Sequence, residues 1–172
     1  GASAKDNAGT ALEAGAAQVD MLIRRKEMPR INKMTGISSQ GVVHGIRALP
    51  DAWKFRFNDY VNSQQVPPPR SSTLRVTRHP NARIFLGCPV EDVTEGGDHV
   101  VVKTPYADFK ADFVIAATGF RNDFSGRPEF AAFSGQIKTW KDGVYTPDMG
   151  RAVPFLVDAP YLGDAFEFLE KD

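Results

Sequence analysis

Cysteine is nearly absent from this chain of 172 residues: Cys88 stands alone. An internal disulfide or a C-x-x-C redox pair is therefore excluded within it, and core packing is the ordinary use of a single thiol. Neither sign of charge is in excess, with 21 basic and 21 acidic residues. The clusters "IRRKEMPR" and "LRVTRH" are short and mixed with apolar residues, so there is no electrostatic case for nucleic acid. No apolar run approaches the ~20 residues of a membrane span, and no basic start with an apolar core marks a signal peptide. Cytoplasm is the default expectation, with no membrane partner. Histidine is scarce as well. His44, His79 and His99 lack metal-ligand spacing with a second histidine or cysteine, so no metal is expected. No G-x-S-x-G elbow is present and the serines lack a paired base, which removes a hydrolase reading. Internal repeats and low-complexity tracts are also missing.

What remains is ordinary globular material, 42% hydrophobic, enough for one domain and a small appendage. The chain opens "GASAKDNAGTALEAGAAQVDMLIRRK". A dinucleotide-binding turn has the form G-x-G-x-x-G/A, followed by a helix whose N-terminal N–H groups face the pyrophosphate and then by a strand ending at the ribose. Gly1 and Ala4 have the spacing of the second and third small residues of that turn. From Ser3 to Ala14 the alanine-rich composition predicts a helix, and Gly15 is a natural stop. Val19, Met21 and Ile23 in "VDMLIRR" predict a buried parallel strand. Arg24 then falls at the strand's tip, where an NAD enzyme would carry an acid. A guanidinium there suits the 2′-phosphate found only on NADP, and Arg25 and Lys26 add positive charge beside it. A surface helix followed by a strand with a basic end has the same local pattern.

Further along, "KEMPRINKMTGISSQGVVHG" reads as a loop leaving the top of the sheet. Pro50 and Asp51 start a predicted helix over "LPDAWKFRFNDYVNSQQ", in which Trp53, Phe57, Tyr60 and Val61 form a stripe suited to packing. "RSSTLRVTRHP" predicts a short helix closed by Pro80. From "ARIFLG" onward the period changes to two. Gly96 and Gly97 mark a hairpin between "VEDV" and "HVVVK", and the meander is expected to end in an apolar strand, "FVIAATG". Tyr106 and Lys110 have the Y-x-x-x-K spacing of short-chain dehydrogenases, but Pro105 and the flanking strands deny them the helix that such a pair requires.

The ending "DFVIAATGF" at residues 112–120, taken with the opening turn, helix and basic strand end, resembles the flavin-containing monooxygenases and related flavoproteins with two dinucleotide-binding domains. In that family an NADPH domain is inserted into an FAD domain, and an apolar strand ends Ala-Thr-Gly-Tyr/Phe, as do Ala117, Thr118, Gly119 and Phe120 here. The segment "PYLGDAFEFLEKD" is similar to the family's return toward the FAD domain.

The resemblance implies an α/β, Rossmann-like FAD/NAD(P)-binding domain with a β-meander, incomplete at its N-terminus. Residues 1–120 would form the NADPH domain, lacking its first strand, and 121–172 the return segment. Cofactor contacts would come from Gly1, Ala2, Ser3 and Ala4 at the pyrophosphate, Arg24 with Arg25 at the 2′-phosphate, and Thr118 and Gly119 near the domain junction. The implied cofactors are FAD and NADPH, and the implied reaction takes O2 and a small nucleophilic substrate. No catalytic acid or base is assigned, because the cofactor makes the bonds. Two other readings share the plan: a flavin-dependent disulfide reductase, whose cysteine pair would lie elsewhere, and a non-catalytic NADPH-binding module.

Overall fold

The computed structural model describes residues 1–172, which divide into two compact units: residues 1–32 with 66–118, and residues 33–65 with 119–172. In the first unit the predicted helix forms as α1 (Ala2–Glu13), ended by Gly15 at φ +93°, and the predicted strand as β1 (Val19–Ile23). A second helix (α4, Arg70–Thr77) precedes β2 (Ala82–Leu86), which pairs parallel to β1 from Val19↔Ala82 to Ile23↔Leu86. Ala8 and Leu12 of α1, Met21 of β1 and Val76 of α4 form the buried core beneath this pair. The two helices approach so closely that a Cβ on Gly9 would lie 3.0 Å from Cβ of Arg75. Arg75 then reaches along α1 to Glu13, which also pairs with Arg78.

The period-two region is an antiparallel sheet of β3 (Asp92–Glu95), β4 (Val100–Lys103) and β5 (Asp108–Ala111), in the order β3-β4-β5. Gly97, at φ +86°, makes the first hairpin as expected from the sequence. Thr104 closes the second by donating from Oγ1 to the Ala107 carbonyl at 2.8 Å. Tyr106 lies in that turn and Lys110 on β5, so neither has the helical setting of a dehydrogenase pair. Phe85 of β2 meets Phe109 of β5 edge-on at 5.1 Å.

The expected final strand does not form. Residues 113–120 are irregular and exposed, with Phe113 at 79%. The sheet of β1 and β2 contains no third strand, so this apolar run has no backbone partner, and pairing is what defines a strand.

In the second unit, α2 (Gln40–Gly45) and a 3-10 turn at Ile46–Ala48 occupy part of the stretch expected to be loop. The long helix α3 (Asp51–Gln64) starts where Pro50 and Asp51 predict. Its aromatic stripe is placed differently from expectation: Trp53 and Tyr60 are exposed, and Phe55 is the buried residue, at 2% exposure. Phe55 packs edge-on to Trp140 at 5.4 Å and against Tyr145 at 4.9 Å. Such aromatic contacts add to the area that Phe55 buries. Arg151 clamps Asp59 at 2.7 Å, and the Tyr161 hydroxyl donates to Asp51 at 2.8 Å. The rest of this unit is built from short turns, a four-residue helix α5 (Pro154–Val157) and isolated bridges such as Ile137↔Glu170. No helix is long and apolar enough to cross a membrane.

Candidate functional site

The first turn of α1 begins at Gly1, the residue that caps it without a side-chain hydrogen bond. Ser3 is exposed, and Ala2 and Ala4 are half-buried. The first four N–H groups of a helix have no partner within it, and the aligned peptide dipoles add positive potential there, which suits phosphate. The small side chains from Gly1 to Ala4 leave that end open.

Arg24, Arg25 and Lys26 follow directly on β1, and the backbone there is tied down. Cys88 N–H donates to the Ile23 carbonyl at 2.9 Å and Gly87 N–H to the Arg25 carbonyl at 2.6 Å. These bonds carry the parallel pairing past the ladder's end. Gly87 sits at φ +64°, a conformation that glycine adopts without the steric penalty of a Cβ. The three cationic side chains make no hydrogen bond and no ion pair with any carboxylate, in contrast to Arg75, Arg83 and Arg151, each of which clamps an acid.

Lys5 is the residue that sequence reasoning missed. It occupies an alanine-rich run, yet it is only 6% exposed, with Nζ donating to Thr73 Oγ1 at 2.9 Å. Burial lowers its pKa. Nothing local announces this, because the partner comes from α4. Thr118 and Gly119 are both exposed and fall on either side of the division between the two units, with Gly119 at φ +103°. Thr118 makes no hydrogen bond to the α1 start or to the β1 tip.

The histidines are engaged locally: His44 with Gln40 at 2.7 Å and His99 with Asp98 at 2.8 Å. No group of three or more His, Cys, Asp or Glu side chains converges as a metal site would. Cys88 is buried.

No protein-family profile matches the chain. A curated relative, an FAD-dependent urate hydroxylase from Xanthomonas campestris pv. campestris, is 39% identical over 171 residues, which is 99% of this chain and 36% of that protein. Among solved structures, the reduced form of ornithine hydroxylase from Pseudomonas aeruginosa is similar in fold. It has a TM-score of 0.50 and 16% identity, over 68% of this chain and 34% of that one. The chain therefore spans 36% and 34% of the lengths of these relatives. Similar in sequence to one hydroxylase that uses FAD and in fold to another hydroxylase, this chain bears out the resemblance to flavin-dependent monooxygenases that its motifs suggest.

Proposed function

We propose that the whole protein is an FAD- and NADPH-dependent monooxygenase, and that residues 1–120 bind NADPH while 121–172 lead back toward an FAD-binding domain. The observation that carries this reading is the 39% identity, over 171 residues, to an FAD-dependent hydroxylase. The donor chemistry of the first unit fits a dinucleotide phosphate. The start of α1, with Gly1, Ala2, Ser3 and Ala4, would receive the pyrophosphate on backbone N–H groups and the Ser3 hydroxyl. Lys5 adds positive charge behind it. Arg24, supported by Arg25, would take the 2′-phosphate in a bidentate grip, for which both are unencumbered by acids.

When bound, the two cofactors would supply hydride transfer and oxygen activation, one atom of O2 entering the substrate and the other leaving as water with the electrons of NADPH. This chain's part is to hold and orient the nicotinamide nucleotide. Thr118 and Gly119 would lie where the chain passes between domains, Gly119 permitting close backbone approach. The substrate would be a small nucleophilic molecule, and urate is a candidate through the relative. A cytoplasmic enzyme fits this chemistry, since NADPH is available there.

The test is an anaerobic visible spectrum of the whole protein before and after one equivalent of NADPH. A flavin band that bleaches, and returns with oxygen while urate is consumed, is the expected result. A well-folded protein that takes up no flavin would overturn the reading.

A further inference from the structure

A cavity of about 620 Å³ in the second unit lies among residues 120–171 and has no part in the nucleotide site described above. Its volume falls in the range of small-molecule pockets. One wall begins at Phe120, immediately after the turn at Gly119, and another is the helix α5. Asn122 ties the two together, its Nδ2 donating to the Phe155 carbonyl at 2.6 Å. Phe120 and Phe155 both line the cavity and are 84% and 46% exposed, so two aromatic surfaces are available to a ligand.

The charges lining it are unequal. Arg121, Lys141 and Lys171 face Asp123 and Asp158. Lys141 is engaged by Asp158 at 2.6 Å, and Lys171 lies 3.6 Å from Asp142. Asp123 is the charged neighbour of Arg121, but its Oδ1 already accepts from the Ser125 N–H at 3.0 Å and from the Ser125 hydroxyl at 2.6 Å. Arg121 thus has no hydrogen bond and no ion pair, and it lines the same cavity as two exposed aromatic residues. Free guanidinium donors match the paired acceptors of an anionic edge, and aromatic faces match a flat ring.

We infer that this cavity binds a planar heteroaromatic anion, with Arg121 gripping its anionic edge and Phe120 and Phe155 covering its ring. The inference rests on the monooxygenase reading only in taking that ligand as the class of the substrate.

Calorimetric titration of the whole protein tests it, with orotate as the probe and uracil, the same ring without the carboxylate, as the comparison. Orotate should bind about tenfold or more tightly than uracil. Arg121→Ala should weaken orotate about tenfold and leave uracil unchanged, while Arg121→Lys, which keeps the charge but loses the fork, should fall between. Circular dichroism confirms that each variant is folded. No orotate binding, equal binding of uracil, or unchanged affinity in Arg121→Ala would overturn the inference. Calorimetry reads binding whether or not flavin is present. A protein that binds orotate through Arg121 yet carries no flavin would refute the monooxygenase reading alone. A flavoprotein reduced by NADPH that does not bind orotate would refute this inference alone.

Discussion

The Gly87 N–H donates to the Arg25 carbonyl across 2.6 Å, just beyond the last paired residues of β1 and β2. That bond sets the backbone from which Arg24, Arg25 and Lys26 project. Because Gly87 is at φ +64°, Gly87→Ala should destabilise the chain by ~1–2 kcal/mol, the cost of a left-handed conformation for a residue with a Cβ. It should also weaken NADPH binding by loosening the tip of β1. A denaturation midpoint and NADPH affinity equal to the parent's would contradict this.

The second unit depends on Phe55, buried between Trp140 and Tyr145. Phe55→Ala should cost about 3–5 kcal/mol, from lost transfer energy and the cavity left behind. Trp53→Ala, at an exposed position on the same helix, should cost less than about 0.5 kcal/mol beyond its stacking with Arg56. Urea titration followed by tryptophan fluorescence for the first variant, and by circular dichroism for the second, measures both. Equal costs would contradict the assignment of the core.

Acid should destabilise both units through paired carboxylates. Hydrogen bonds from Arg75, from Arg83 and from Arg151 hold the carboxyls of Glu13, Asp20 and Asp59, respectively, below the usual carboxylate range. The folded state then binds fewer protons than the unfolded one at these sites. Their contribution is complete above the unfolded pKa values of roughly 4 and is lost as pH falls through the lowered folded values. Solvent screening keeps the individual effects small. The urea midpoint should fall steadily below about pH 4, and Asp20→Asn should flatten that fall. A parent chain with pH-independent stability in this window would contradict the pairing.

The apolar run from Phe113 to Thr118 has exposed side chains and a backbone that no strand pairs, its one internal bond running from the Ala117 N–H to the Ile115 carbonyl, and so offers a template for edge pairing. The 172-residue polypeptide should self-associate, and Ile115→Lys should reduce that association, as read by light scattering across a concentration series. A strictly monomeric parent chain would contradict it.

The legible parts of the fold were those set by local periodicity or turn chemistry. Val19, Met21 and Ile23 disclosed β1, Pro50 and Asp51 the start of α3, and Gly96 and Gly97 the first hairpin. The run at 113–119 satisfies every local rule for a strand and still does not form one, because a strand is a relation between two backbones. The glycines and serines around α2 masked a helix of six residues. In α3, spacing identified a stripe but could not say which aromatic residue Trp140 and Tyr145 would cover. At the proposed nucleotide site, Gly1–Ala4 and Arg24 are suggested by spacing, and the structure places them at the start of α1 and just after β1. Lys5 is not suggested by spacing, since its burial depends on Thr73 in α4. Arg121 and Phe155 were equally invisible as a pair, being brought to one cavity by tertiary folding.

The most direct test of the account is the rate at which NADPH and NADH reduce the flavin of the whole protein, compared with the same two rates in Arg24→Ala. Loss of a charge-assisted grip on the 2′-phosphate corresponds to ~1.5–3 kcal/mol. The account predicts a strong NADPH preference that falls about 10- to 100-fold in the variant, with the NADH rate unchanged. A preference for NADH, or an NADPH preference untouched by removing Arg24, would contradict it.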